Sequence, residues 1–199
     1  MSGINKLGGL YLLRQWGLPA IKWEIFTCDT TLPANCLWTV RTALYSGHDV
    51  NLPRAVGVEA KEAEAFAQRL LQELGDRGVV FYYPYFVAER SGTLLVEKER
   101  AIVEAVKGDL WHLVSEGKRD AYLLLDLEEG KIREERPPEF FTPEEQMKLL
   151  GWARQIRWRG REYLSAGFSL LLEWSVVAET EEQSGGDKFV FYELRTVTG

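Results

Sequence analysis

Cysteine and histidine are nearly missing from this 199-residue chain, which holds two of each: Cys28, Cys36, His48 and His112. A disulfide-stapled fold is therefore excluded, because such folds are cysteine-dense. Cys28, Cys36 and His48 could be drawn as three zinc ligands. Their separation matches no compact metal motif, and two ordinary half-buried thiols is the simpler reading. Long apolar runs are also missing, so there is neither a signal-like start nor a membrane span, and a cytoplasmic, reduced protein is expected. Basic excess is missing too. With 24 Lys and Arg against 30 Asp and Glu the net charge is -6, which argues against a nucleic-acid partner that needs its phosphates neutralised. No repeat, low-complexity segment or linker divides the chain, so a single domain over 1–199 is expected, with possible lobes at roughly 1–78 and 79–199.

What is present is aromatic and apolar. Seven Trp among 12% aromatic residues argue for a packed core rather than disorder. Residues 4 to 16 predict a helix ended by Gly17 and Pro19, with Gly8 and Gly9 leaving its backbone open to close approach. Ile21 to Thr27 and Leu37 to Ala43 predict strands, and Ser46 to Val58 has loop chemistry. Glu59 to Leu74 carries an apolar stripe at helical spacing (Ala63, Phe66, Ala67, Leu70, Leu71, Leu74) and is capped by Gly75. Strand signals follow at Val79–Ala88 (broken by Pro84), Thr93–Val96 after a turn at 89–92, Ala101–Val106, Ala121–Leu127 and Lys131 onward. Thr142-Pro-Glu-Glu145 starts a helix that runs to about Arg159: Thr as N-cap, Pro first, Glu third. Strands outnumber helices, and the class is α+β with a largely antiparallel sheet.

The C-terminal end carries the oddest pattern. Phe168 to Ala178 and Lys188 to Val197 predict two strands joined by an acidic, glycine-containing turn. In the first, Phe168, Leu170, Leu172, Trp174 and Val176 share one face, and Glu173 lies on the other with Ser169 and Ser175. In the second, period two puts Phe191, Glu193, Arg195 and Val197 on one face. A charge inside an apolar strand needs a partner. Lys6, Arg41, Glu104, Glu173, Glu193 and Arg195 are all charges in apolar or glycine-rich settings. Each alone reads as solvated or salt-bridged, and a purely structural α+β protein would need nothing more.

Their order along the chain resembles the N-terminal nucleotide-binding region, of ATP-grasp type, shared by pyruvate phosphate dikinase, phosphoenolpyruvate synthase and rifampicin phosphotransferase. That region opens Gly-Lys-x-x-Asn-Leu, then Gly-Leu-Pro-Val-Pro; here Asn5-Lys6-Leu-Gly-Gly-Leu10 and Gly17-Leu-Pro-Ala-Ile21 stand in that order. Its Val-Arg-Ser strand is resembled by Val40-Arg41-Thr42, its Ser-Gly-Val by Ser91-Gly-Thr93, and its Ile-Glu-Ala-x-x-Gly by Ile102-Val-Glu104-Ala-Val-Lys-Gly108. Its Asp-Ile-Glu-Trp-Ala and Leu-Gln-Ala-Arg-Pro are resembled by Leu171-Leu-Glu173-Trp174-Ser and Tyr192-Glu193-Leu-Arg195-Thr196.

The resemblance implies an ATP-grasp-like fold of two small lobes with mostly antiparallel sheets and flanking helices, binding ATP and Mg²⁺ between them. Lys6 and Arg41 would clamp phosphates, Glu173 and Glu193 would be Mg²⁺ ligands, and Arg195 would neutralise charge on the transferring phosphate; Arg41 and Arg195 are the catalytic candidates. Glu104 and Tyr83 would lie on the adenine and ribose side. Departures are plain. Glu193 stands where the family has glutamine, the adenine-side strand carries Pro84, and the segment over the triphosphate is short. Nothing after Val197 corresponds to the family's phospho-accepting histidine domain, and neither His48 nor His112 sits in its motif. The implied activity is therefore ATP-dependent phosphotransfer to an acceptor on another chain. The alternative is a non-catalytic member acting as a nucleotide sensor or protein-interaction module.

Overall fold

The computed structural model describes residues 3–46, 52–178 and 188–198; His48 and the turn expected between the last two strands lie outside them. The first helix, α1 (Lys6–Gln15), is started by Asn5, whose side chain accepts the Gly8 N–H at 2.9 Å. β1 (Glu24–Ile25) is the part of the expected 21–27 strand that forms a ladder, pairing antiparallel with Tyr82 and Phe81, while Ile21 and Phe26 on either side each donate one backbone hydrogen bond, to Phe191 O and Val80 O. Next come β2 (Trp38–Leu44), β3 (Ala55–Val58), α2 (Ala60–Leu74) and β4 (Gly78–Pro84). β3 corrects the loop reading of Ser46 to Val58, since its last residues pair antiparallel with β2.

β5 (Ala88–Val96) also departs from expectation, running unbroken through Ser91-Gly92 where a turn was predicted. The glycine there serves packing. A Cβ on Gly92 would overlap the Trp174 indole, which lies against its backbone. Then follow β6 (Arg100–Lys107), the short α3 (Trp111–Val114), β7 (Ala121–Asp126) and β8 (Lys131–Arg136). α4 (Pro143–Arg159) has the full reciprocal capping box between Thr142 and Glu145, as its sequence predicts. α5 (Arg161–Ser165), β9 (Phe168–Val177) and β10 (Phe189–Thr198) complete the chain. No helix among the described residues is long and apolar enough to cross a membrane.

Among the described residues the strands form two antiparallel sheets, ordered β1-β4-β2-β3 and β10-β9-β5-β6-β7-β8. One face of the larger sheet (Leu94, Val103, Leu123, Leu172, Trp174) is buried under Leu149, Leu150, Ala153 and Ile156 of α4. The smaller sheet packs Val40 and Val80 against Ala63, Ala67 and Leu70 of α2. A third apolar cluster joins Phe81 and Tyr83 of the small sheet to Val177, Val190 and Tyr192 of the large one, with Leu7 and Leu10 of α1. The two sheets thus meet across an aromatic seam.

The outer edge of β10 is closed by the chain's own first residues. Phe191 N–H donates to Pro19 O at 2.7 Å, Ile21 N–H to Phe191 O at 3.1 Å, and Ile4 N–H to the Thr196 hydroxyl at 2.9 Å. α1 lies so close that a Cβ on Gly9 would overlap the Leu194 carbonyl. This is the close approach that the paired glycines predict, and it brings the first residues of the chain beside the last.

A candidate site between the two sheets

β9 and β10 pair with a bulge, and the bulge decides what faces the seam. Phe191 is opposite Trp174, but Glu193 is opposite Glu173, so Tyr192 is the extra residue. Phe191 therefore points into the core under α4 while Glu193 points the other way. This corrects the expectation that period two keeps Phe191 and Glu193 on one face. The shared direction of Glu193 and Arg195 survives, since both lie beyond the bulge.

Five charged side chains converge there. Glu193 carboxylate oxygens lie 3.4 Å from Arg41 Nη2, 3.9 Å from Lys6 Nζ and 3.9 Å from Arg195 Nη1. Arg41 comes from β2 of the small sheet, Lys6 from the first turn of α1, and Glu193 and Arg195 from β10. Lys6, Arg41 and Glu193 keep only 10, 14 and 9% of their side-chain surface exposed, whereas Arg195 keeps 45%. Asn5 fixes the approach of α1 to β2 by donating its amide to the carbonyls of Leu44 (3.3 Å) and Tyr45 (3.1 Å). So Lys6 and Arg41 from the first quarter of the sequence and Glu193 from its end are brought together by the packing of α1 and β2.

Glu173 is the outlier. Among the described residues no cation comes within ion-pair distance of it. Burial and then the neighbouring Glu193 charge push its carboxyl up to about 7, against the weaker pull of Arg41, Arg195 and Lys6. Arg41 shifts upward instead. Burial alone would lower it, but Tyr83, Glu193 and Glu173 together hold the proton on. Burial raises the Tyr83 phenol, against the pull of the neighbouring Arg41 guanidinium. Burial, and then the Glu173 charge, raise the Tyr192 phenol, with Ser175 opposing them. Ser175 Oγ in turn lies 2.9 Å from Ser91 Oγ, which donates to Gly108 O at 2.7 Å.

Of the residues singled out from sequence, Lys6, Arg41, Tyr83, Glu173, Glu193 and Arg195 come together. Glu104 does not. It sits on the same face and the same cross-strand row as Glu173, but with Thr93 between them, and it is held by Arg119 at 2.7 Å. Two strand spacings put it about 10 Å from Glu173. Cys28 is exposed, Cys36 half-buried, and neither forms a disulfide. No group of three or more His, Cys, Asp or Glu gathers at metal distance among the described residues. Tyr192 and Ser175 escape the sequence reading as parts of the site: the bulge hides the first, and the second reads as an ordinary serine on a polar face.

The donors present fit a hard divalent cation completed by other oxygens. Glu173 is a half-buried carboxylate whose value is raised by desolvation and by its register partner, a second carboxylate. Two carboxylates with phosphate and water oxygens make a Mg²⁺ environment, whereas nitrogen and sulfur ligands for zinc are lacking.

No protein-family model matches this chain, and no curated protein matches it in sequence. Solved structures do resemble it in fold. A dinucleotide forming acetyl-coenzyme A synthetase 1 from Ca. Korarchaeum cryptofilum, in complex with coenzyme A, Ca-AMPCP and HgCl+, superposes with a TM-score of 0.57 at 8% identity over 99% of this chain and 93% of that one. An N5-carboxyaminoimidazole ribonucleotide synthetase in its ADP complex gives 0.59 at 12% identity, over 96% of this chain and 44% of that one. An L-amino acid ligase from Bacillus licheniformis gives 0.51 at 11%, over 96% and 39%. The chain thus spans less than half the length of the last two. The architecture is α+β and ATP-grasp-like, and at such low identity that likeness establishes the fold alone.

Proposed function

We propose that this chain is a nucleotide-binding domain that takes Mg·ATP where its two sheets meet, with phosphotransfer of the pyruvate phosphate dikinase kind as its activity. The observation that carries the reading is Glu173, a half-buried carboxylate facing Glu193, with no cation within ion-pair distance among the described residues. Holding two carboxylates together away from water is costly unless further positive charge is supplied, and a bound cation supplies it. Lys6 and Arg41 would hold phosphate oxygens, Arg195 at the half-open rim would meet the phosphoryl group being transferred, and Tyr83 would orient Arg41. Glu173 and Glu193 would hold Mg²⁺, which supplies charge neutralisation across neighbouring phosphates. The nucleotide ligands named in the neighbouring structures support a nucleotide as the ligand class. The phosphate acceptor would sit on another chain.

A second reading is favoured by one feature. Glu193 is already met by three of the chain's own cations, as in a site that binds without turning over. On that reading the protein is a nucleotide sensor or an interaction module. Calorimetry with Mg·ATP tests the ligand: binding in about the micromolar range, lost in Glu173→Ala and in Arg41→Ala, is the expected result. Absence of heat at millimolar nucleotide would sink the enzyme and the sensor and leave only the interaction module. Transfer of a radiolabelled γ-phosphate to a second protein would then separate enzyme from sensor.

A further inference from the structure

The space beside the charged cluster is filled by the chain's own rings. Phe86 lies in the short connection between β4 and β5, where the two sheets are joined, and packs half-buried against the seam. Its ring centroid is 6.4 Å from that of Tyr83, at an interplanar angle of 27°, and 6.2 Å from that of Tyr192. Both tyrosines are buried, and both border the cluster: Tyr83 lies on β4 diagonally across from Arg41 of β2, and Tyr192 immediately precedes Glu193. Moving outward from the carboxylates, the order is therefore cluster, tyrosines, Phe86. Leu110 and Leu113 add apolar wall around the same seam.

At such spacings Phe86 is in contact with both tyrosines, and no second planar group fits between it and either of them. Phe86 is also the ring that can leave. The residues on either side of it are tied down, Tyr85 N–H donating to Leu37 O at 2.8 Å and Ala178 N–H to Val87 O at 3.0 Å. A rotamer change at Phe86 thus displaces one side chain and no strand.

We propose that Phe86 is the specificity-determining residue of this site: its ring fills the slot between Tyr83 and Tyr192 that a nucleobase needs. The site as folded accepts a base-free polyphosphate, and a nucleoside portion enters only when Phe86 swings out. This rests on the phosphate-binding reading above and narrows its ligand. A base offers the same π face as the ring it replaces, so the exchange is favourable once the slot is free.

Calorimetry with Mg·tripolyphosphate and Mg·ATP on the wild type, Phe86→Ala and Phe86→Trp tests it. The wild type should bind tripolyphosphate at least as tightly as ATP. Phe86→Ala should tighten ATP by about tenfold while leaving tripolyphosphate within about twofold, and Phe86→Trp should keep the wild-type pattern. Weaker ATP binding in Phe86→Ala, or an unchanged ratio of the two affinities, overturns the proposal while tripolyphosphate binding keeps the phosphate site standing. Binding of neither ligand by wild type or variant overturns the phosphate site and the proposal together. Should Phe86→Ala lose its near-UV circular dichroism, Phe86→Leu, which removes the ring face and keeps the bulk, puts the same ratio to the test.

Discussion

Two sets of charged side chains lie in the interior beside β5 and β9, and they are built in opposite ways. At the start of α4, Arg90 meets Glu145 in a close two-pronged pair and also donates to Phe140 O at 3.0 Å, while Glu145 accepts the Thr142 N–H at 2.8 Å. Burial would raise the Glu145 carboxyl, but the hydrogen bonds from Arg90 and Thr142 more than offset it and hold the value low. Each group there has its partner. Between the sheets, three cations crowd onto Glu193 while Glu173, raised to about 7, has none close by. A buried acid pushed down by its partners is part of the scaffold. One pushed up is stabilised by whatever brings it positive charge, and that is how a binding site differs from a rivet.

The comparison breaks first at the scaffold pair. Glu145→Ala leaves a half-buried Arg90 without its acid and removes half of a capping box. We expect a loss of about 2–4 kcal/mol in urea unfolding, with ligand affinity of the folded fraction unchanged. If Glu145→Ala costs no more than a surface pair, the two sets do not differ as described.

Gly9→Ala comes next. The added methyl overlaps the Leu194 carbonyl, so α1 must move off β10 and carry Lys6 with it. A loss of about 1–3 kcal/mol is expected, and with it weaker Mg·ATP binding in calorimetry. Retained affinity would mean that Lys6 takes no part.

At Glu173 the sign reverses. Its folded value lies above the ordinary carboxyl value of 4.5, so between 4.5 and about 7 the folded chain keeps a proton that the unfolded chain has released. Stability therefore falls as pH rises through that window and stays low above it. Glu173→Gln should raise the melting temperature by about 5 °C at pH 8 and leave it unchanged at pH 4. The same variant should lose Mg²⁺-dependent binding, and wild-type affinity should rise as pH passes through 7. A destabilised Glu173→Gln at pH 8 would place this residue with the scaffold. Arg195→Ala is the mildest change. Its half-exposed pair with Glu193 is worth less than about 1 kcal/mol in stability, so the expected effect is on phosphate affinity alone.

Much of the architecture is legible in one dimension. The Thr142 capping box, the apolar stripe of α2 and the alternation of Phe168 to Val176 each follow from local spacing, and each stands where its residues predict. The misses have a common cause. Gly92 reads as a turn residue because glycine permits turns, yet it is needed because an indole from β9, 82 positions later, lies on its backbone. β3 reads as loop because an edge strand is defined by its neighbour more than by its own residues.

The sequence by itself determined which charges are anomalous, since a carboxylate inside an apolar strand can be recognised without a partner in view. Only the tertiary structure decided which anomaly matters. A single bulged residue, Tyr192, turns Glu193 onto Glu173, and the closure of the β10 edge by α1 brings Lys6 to it. Spacing cannot encode either one: a bulge breaks the period from which faces are read, and long-range pairing leaves no local trace. Glu104, just as odd in sequence as Glu173, is left two strands away beside Arg119.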